Sequence, residues 1–147
     1  MKIENIMTKD FIAVNIDSDI QTVATIMREN DIGFLPVFKE SKIVGVITDR
    51  DIVTRIIANK DHTLEGYLSK DLITIDSFKT INDVLEKMAE KKVKRLLVQK
   101  EGKLVGIVSL SDLIHYDNDL FLPSLKRIWE INRNRDTYTT KIDEFEL

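Results

Sequence analysis

The chain has 147 residues, of which 43% are hydrophobic and 32% are charged, with only 5 glycines and 2 prolines. These proportions exclude a disordered or low-complexity chain, and the length is sufficient to bury a core. The 22 basic and 25 acidic residues give a net charge of −3, which excludes the strongly basic balance of a general nucleic-acid-binding protein. The absence of cysteine from the sequence excludes disulfides, thiolate zinc sites and cysteine nucleophiles.

The start of the chain, MKIENIMTKD, lacks the apolar run of a signal peptide. No stretch of the sequence approaches the roughly 18 apolar residues of a membrane span. The two histidines, His62 and His115, stand outside any metal-binding spacing. We therefore expect a cytoplasmic protein with no membrane partner, no nucleic-acid partner and no metal site.

An internal repeat runs through most of the chain at a constant offset of 61 residues. Residues 7–53 align without a gap on residues 68–114, and 15 of the 47 pairs are identical. Such self-similarity indicates two copies of one structural unit. We predict a first repeat at residues 1–61, a second at 62–118, and a C-terminal tail at 119–147.

Taken in chain order, each copy predicts the elements β-α-β-β-α. The predicted strands span residues 11–15, 34–39 and 43–47 in the first copy and 72–76, 95–100 and 104–108 in the second. The first helix of each copy has apolar residues at helical spacing. Ser18 to Gln21 and Thr80 to Asp83 mark its start as capping-box spacings, and we expect the second box to be weaker because Asp reaches less far than Glu.

The second helix of each copy is predicted to begin at Asp49 and near Leu110. Units of about 60 residues are marginal alone, so we expect the two copies to pack sheet to sheet around a pseudo-two-fold axis and to share one core. In the tail, apolar residues at helical spacing follow Pro123 and predict a further helix. These tail residues are Leu122, Leu125, Ile128 and Trp129.

A shared chemical pattern leads from the last strand of each copy into the following helix. The two segments read Gly45-Val-Ile-Thr-Asp-Arg-Asp51 and Gly106-Ile-Val-Ser-Leu-Ser-Asp112. A glycine inside a strand is typical of a close backbone approach, and the hydroxyl lies where unpaired helix N–H groups can hold an anion. The aspartate can accept hydrogen bonds from a ribose 2′,3′-diol. The alternative interpretation is a helix N-cap with a favourable charge near the helix dipole.

The repeat and its paired motifs resemble the cystathionine-β-synthase (CBS) domain family. The resemblance covers residues 3–117 and rests also on segments 33–37 and 95–98, which open the middle strands. It implies an α+β fold of tandem β-α-β-β-α CBS repeats, called a Bateman module, with a ligand cleft on each side of the axis. It implies a non-catalytic sensor that binds AMP, ADP, ATP or a related adenosine compound as a regulatory ligand, with no catalytic residue and no required cofactor.

The resemblance also implies which residues form the two clefts. One cleft is expected to contain Thr48, Asp51, Ile73, Thr74 and Val93. The other is expected to contain Ser109, Asp112, Thr8, Ile12, Ala13, Ile32 and Gly33. For the apolar members, ordinary core packing is the alternative.

Basic residues open the middle strand of the second copy only. The resemblance implies that Lys94 and Arg95 lie near the phosphate position of the Asp112 cleft, where a positioned guanidinium or ammonium binds phosphate well. This predicts that the Asp112 cleft binds a phosphorylated ligand better than the Asp51 cleft, where Arg50 compensates in part.

The same resemblance implies a homodimer that uses its helices as the interface. The second helix of the first copy has a wide apolar stripe at Ile52, Val53, Ile56 and Ile57, which intramolecular packing also explains. With no effector domain attached, output would run through an effector protein or the tail. A structural dimerisation or scaffold module with empty clefts is the alternative function. The sequence favours an enzyme least, because Asp51 and Asp112 are expected in separate clefts and so do not form an acid–base pair.

Overall fold

Two three-stranded sheets, one in each repeat, form the frame of this computed structural model, which describes residues 1–116. The first repeat contains β1 (Val14–Asn15), α1 (Ile20–Asn30), β2 (Phe34–Lys39), β3 (Lys42–Thr48) and α2 (Asp49–Asp51), which continues into a π-helical segment (Ile52–Ile57). The second repeat contains β4 (Thr74–Asp76), α3 (Ile81–Lys91), β5 (Arg95–Lys100), β6 (Lys103–Ser109) and α4 (Leu110–Tyr116). The predicted tail helix lies outside the described residues.

Both sheets have the same topology, which confirms the predicted β-α-β-β-α repeat. In each, the first strand pairs in parallel with the middle strand, and the middle strand pairs antiparallel with the last. The middle strand of each sheet also has its irregularity at the equivalent place, Val37/Phe38 in β2 and Val98/Gln99 in β5. In the part of the chain that the structure describes, no helix is long and apolar enough to cross a membrane.

The opening strands are shorter than the predicted spans 11–15 and 72–76. Only the end of each β-rich run pairs with its own sheet, whereas the residues before it run towards the other repeat. Thr8 forms an isolated bridge with Ile107, and Ser69 forms the equivalent bridge with Val46. Both bridges between the repeats therefore lie before the predicted strands and not within them.

The helix starts differ from the predicted caps in one repeat. Asp19, not Ser18, caps α1, and its carboxylate accepts a 2.9 Å hydrogen bond from the Thr22 amide. Thr80 caps α3 in a complete capping box, in which the Asp83 carboxylate accepts the Thr80 amide at 2.8 Å. The expectation that the second box is the weaker one is wrong, because of the two helices α1 and α3 only α3 begins with a closed capping box.

Each sheet packs against its own apolar cluster, and residues from outside its repeat complete that cluster. Ile3 is fully buried in the cluster of the second sheet, where Met7 also packs. Leu64 is fully buried in the cluster of the first sheet, together with Leu68. Ile3 and Leu64 are equivalent under the 61-residue offset. The segments 3–8 and 64–69, which we call the exchanged or crossing segments, therefore pack symmetrically, each on the sheet of the other repeat. The prediction of one shared core is therefore wrong, because the apolar core is divided in two.

Candidate functional site

Two clefts lie between the repeats, and their walls correspond under the 61-residue offset. The Thr48 cleft has a volume of about 540 Å³ and is lined by residues of both repeats. The Ser109 cleft, on the other side of the axis, has a volume of about 430 Å³ and is also lined by both. These volumes fall in the range of roughly 300–1,000 Å³ that is common for small-molecule sites.

Most of the residues predicted for a site lie on one of these two walls. In the Thr48 cleft the structure brings together Thr48, Ile73 and Val93. In the Ser109 cleft it brings together Ser109, Asp112, Thr8, Ile12, Ile32 and Gly33. Four predicted residues are not on the wall predicted for them, namely Asp51, Thr74, Ala13 and Lys94. Ala13 and Thr74 are equivalent positions, so the same departure occurs on both sides.

The first motif is closed on itself by hydrogen bonds. The hydroxyl of Thr48 donates to Asp51 Oδ2 at 2.8 Å, and the Thr48 amide donates to the same oxygen at 3.1 Å. The Asp51 amide donates back to the Thr48 hydroxyl at 3.1 Å, which completes a capping box. Asp51 Oδ1 lies 3.6 Å from Arg55 Nη1. Asp51 is therefore turned towards its own helix, which explains its absence from the cleft wall.

The second motif leaves more of its carboxylate open. Asp112 Oδ2 accepts the Ser109 amide at 2.7 Å, and the Asp112 amide donates to Ser109 Oγ at 3.1 Å. Ser109 Oγ lies 2.9 Å from Ser111 Oγ. Within residues 1–116, no hydrogen bond or ion pair engages Asp112 Oδ1. The capping function and a ligand function are thus compatible here, because they use different oxygens of one carboxylate.

The motif glycines mark the places where the exchanged segments cross the last strands. A Cβ at Gly45 would lie 2.9 Å from the carbonyl oxygen of Ser69, and a Cβ at Gly106 would lie 3.0 Å from that of Thr8. Both distances are shorter than ordinary van der Waals contacts, so a side chain at either position would force its neighbours to shift. The predicted close approach of backbone at these glycines is confirmed.

The pseudo-two-fold axis passes between two residues that line both clefts. Phe34 and Arg95 are equivalent under the offset, and the Arg95 guanidinium lies 5.8 Å from the centroid of the Phe34 ring. This distance is within the range of a cation–π contact, worth about 0.5–1 kcal/mol at an exposed site. Among the described residues, Arg95 is the one basic residue on the wall of the Ser109 cleft.

The structure corrects the predicted position of Lys94, one of the two residues on which the ranking of the clefts for phosphate depends. Lys94 lies on the wall of the Thr48 cleft and not on that of the Ser109 cleft, whereas Arg95 lies on both. The reason is chain geometry: Lys94 follows Val93 directly, and consecutive Cα atoms are only about 3.8 Å apart. Because Val93 faces the Thr48 cleft, its neighbour lies there as well. Lys92, which we did not single out for a site, joins them on the same wall.

A chain of polar contacts runs from the first motif to the linker between the repeats, residues 59–65. Arg55, which faces Asp51, donates to the Tyr67 carbonyl at 3.0 Å, and its guanidinium lies 5.9 Å from the Tyr67 ring. The Tyr67 hydroxyl donates to Asp61 at 2.9 Å. The His62 amide and then this hydroxyl hold the pKa of Asp61 below its ordinary value, and the bond to Asp61 raises the pKa of Tyr67.

Comparisons with known proteins agree with this arrangement. The family model of the CBS domain matches the chain twice, at residues 3–58 and 64–119. The uncharacterized protein YlbB of Bacillus subtilis is 32% identical over 117 residues, which are 76% of this chain and 79% of that protein. Hypoxic response protein 1 of Mycobacterium tuberculosis is 33% identical over 117 residues, which are 76% of this chain and 82% of that protein.

Two solved structures share the fold. The CBS domain pair of protein MJ0100, in complex with 5′-methylthioadenosine and S-adenosyl-L-methionine, has a TM-score of 0.72 at 26% identity and covers 79% of this chain and 94% of that one. Hypoxic response protein I with two coordinated zinc ions has a TM-score of 0.69 at 30% identity and covers 80% of this chain and 99% of that one. Over residues 1–116 of the present chain, no three His, Asp or Glu side chains are grouped to hold a metal ion.

Proposed function

Because the chain belongs to the CBS domain family, we propose that it is a non-catalytic regulatory module that binds an adenosine-containing ligand between its two repeats. The observation that carries the proposal is the pair of equivalent clefts, each with a hydroxyl at the start of a helix. The complex of the CBS pair of MJ0100 with two adenosine compounds supports the same ligand class.

The chemistry of each wall suits the parts of an adenosine compound. Ile73 and Val93 in the Thr48 cleft, and Ile12 and Ile32 in the Ser109 cleft, provide apolar surface for an adenine ring. The open Oδ1 of Asp112 can accept hydrogen bonds from a ribose diol, which has two adjacent donors.

In the Thr48 cleft the motif carboxylate needs a rearrangement before it can meet a ribose. Asp51 Oδ1 has to leave Arg55, and that contact is long, at 3.6 Å, with the Arg55 side chain 48% exposed. Exposed ion pairs of this kind contribute only about 0–1 kcal/mol. A ligand can therefore replace the contact at little cost.

Calorimetry tests this function directly. The intact protein is titrated with AMP, ADP, ATP, S-adenosylmethionine, NAD and cyclic di-AMP, and then Asp112→Ala and Asp51→Ala are titrated with every compound that binds. We expect at least one compound to bind. The variant of the motif aspartate in the cleft that this compound occupies, Asp112→Ala or Asp51→Ala, is expected to weaken its binding by roughly tenfold, as loss of hydrogen bonds to a charged group does.

Asp83→Ala is the matched control for the loss of a cap. Asp83 occupies the same third helical position as Asp51 and Asp112 but caps α3, which lies outside both cleft walls. We expect this variant to keep the parental affinity. No heat with any compound would refute the proposal and would favour a structural module with empty clefts.

We also propose that the module forms a homodimer and passes its signal to an effector protein. The predicted apolar stripe divides in the structure: Ile52 and Ile56 are buried, whereas Val53 and Ile57 are 60% and 53% exposed. Light scattering is expected to give a dimer mass for the intact chain and a monomer mass for Val53→Asp/Ile57→Asp. Phe78→Asp, at an equally exposed apolar position, is the control and is expected to remain dimeric. A monomeric parent would refute the dimer.

A further inference from the structure

Over residues 1–116, the walls of the two clefts have opposite formal charge. The Thr48 cleft is lined by four basic side chains and two carboxylates, which give +2. The Ser109 cleft is lined by one basic side chain, Arg95, and three carboxylates, which give −2. The module as a whole is nearly balanced, so this difference belongs to the clefts and not to the overall charge of −3.

The difference arises at a few equivalent positions. Lys92 in the Thr48 cleft corresponds to Asp31 in the Ser109 cleft, and each is the residue that ends the first helix of its repeat. Both have left-handed backbone conformations, with φ of 57° at Lys92 and 51° at Asp31. Because the backbone is the same at the two positions, the side chains start from equivalent places and differ only in chemistry.

Two further positions add to this contrast. Lys94 in the Thr48 cleft corresponds to Gly33, and Arg50 corresponds to Ser111. The three positive charges of the Thr48 wall that lie outside the shared Arg95 are therefore replaced in the Ser109 cleft by one negative and two uncharged residues. In that cleft the carboxylates of Asp10 and Asp112 remain.

We propose that the two clefts bind adenosine compounds of opposite charge. The Thr48 cleft takes a nucleoside phosphate, and the Ser109 cleft takes an uncharged or cationic adenosine compound, such as a sulfonium. This inference rests on the proposed function, because it assigns a ligand class to each of the same two clefts.

The physical basis is the interaction of the ligand charge with several wall charges at once. Phosphate oxygens gain charge-assisted hydrogen bonds from Lys and Arg, and in the Ser109 cleft they would face three carboxylates and one arginine. A sulfonium cation has the reverse preference. The side chains are exposed, so each pair contributes modestly in water and the preference decreases with added salt.

The test exchanges the two equivalent residues one at a time. Lys92→Asp and Asp31→Lys each introduce the residue type that the other repeat has at that position, so the backbone tolerates both. Lys103→Asp and Asp17→Lys produce the same changes in net charge at exposed positions outside both walls. Each variant is titrated at low salt with ATP, S-adenosylmethionine and adenosine, and the parent is also titrated with S-adenosylmethionine after saturation with ATP.

We expect Lys92→Asp to lower the affinity for ATP by about tenfold and to change the affinities for S-adenosylmethionine and adenosine by no more than about twofold. Asp31→Lys is expected to lower the affinity for S-adenosylmethionine by a similar factor and to leave the affinity for ATP unchanged. Both control variants are expected to bind every compound as the parent does. The parent is expected to bind S-adenosylmethionine with unchanged affinity after saturation with ATP.

If Lys92→Asp lowers the affinities for ATP and for adenosine equally, the charge assignment is overturned and the proposed function is left intact. Weakening of ATP by Asp31→Lys but not by Lys92→Asp would also overturn it. If ATP, S-adenosylmethionine and the wider set of adenosine compounds all fail to bind the parent, the proposed function fails and this inference fails with it.

Discussion

Replacing Gly45 with alanine is expected to lower the free energy of unfolding by about 2–4 kcal/mol. The added Cβ would lie 2.8 Å from Leu68 Cβ and 2.9 Å from the Ser69 carbonyl oxygen, so both contacts involve rigid parts of the crossing segment. That carbonyl also accepts the Val46 amide at 3.0 Å, and the Ser69 amide donates back to the Val46 carbonyl at 3.0 Å. Moving the segment therefore costs about 1–3 kcal/mol of overpacking and weakens hydrogen bonds worth about 1 kcal/mol each.

The same substitution at the equivalent Gly106 is expected to cost only about 1 kcal/mol. Here the nearest atom to the added Cβ is Met7 Sδ, at 2.5 Å, and the Thr8 carbonyl oxygen is 3.0 Å away. Methionine is flexible and can adopt another rotamer at small cost. The crossing segment at Gly106 can therefore stay nearly in place, whereas the segment at Gly45 must move.

Urea unfolding followed by circular dichroism measures both values. Gly102→Ala is the control, because its φ of 76° disfavours a side chain but no atom lies within 4 Å of the added Cβ. It reports the cost of the backbone conformation alone, about 1–2 kcal/mol. If Gly106→Ala destabilises the protein as much as Gly45→Ala does, the reasoning from rigid and flexible neighbours is refuted. Gly45→Ala should also weaken the binding of a ligand in the Thr48 cleft, since segment 69–73 forms part of that wall.

Three further variants test the exchanged segment, the linker and the cap. Ile3→Ala is expected to cost about 2–5 kcal/mol and to reduce hydrogen-exchange protection in α3 before α1; uniform loss in both helices would contradict the packing of Ile3 on the second sheet. Asp61→Asn is expected to reduce stability at about pH 7, and this deficit is expected to shrink as the pH falls below about 4. The reason is that the His62 amide and then the Tyr67 hydroxyl lower the folded pKa of Asp61, so its contribution is present above the unfolded pKa and is lost as the pH falls through the folded one. A deficit that persists unchanged in acid would contradict this. Thr80→Ala is expected to cost about 0.5–2 kcal/mol in urea unfolding and to leave nucleotide affinity unchanged; a loss of affinity would show that α3 influences the clefts.

Local sequence signals predicted the repeated elements well. The bounds of β2 and β5 agree with the predicted 34–39 and 95–100, because apolar runs between turn residues identify buried strands. The cap of α1 was misplaced by one residue because Ser18 and Asp19 are both good N-cap residues, and sequence alone does not choose between neighbours. The motif glycines indicated a close approach but not its partner.

Contacts between the repeats could not be read from the sequence in the same way. The exchange of Ile3 and Leu64 depends on where the chain crosses between sheets, and a buried aliphatic residue has the same local pattern in either cluster. Lys94 lies in the other cleft from the one predicted, whereas Val93 lies in the predicted one. The 61-residue offset places these two neighbours together, because their equivalents Ile32 and Gly33 share the Ser109 cleft.

The axis between the repeats shows why two equivalent copies acquire different clefts. A perfectly symmetric chain would place two identical residues in contact at positions 34 and 95, and two arginines there would repel each other. Phe34 opposite Arg95 replaces that repulsion with a cation–π contact at 5.8 Å. The Arg95 guanidinium at the axis lines both clefts, so the difference in formal charge between the two walls has to come from residues that line one cleft each. Lys92 and Asp31 are such positions, so a substitution at either of them is expected to change the wall of one cleft without disturbing the fold that the two repeats share.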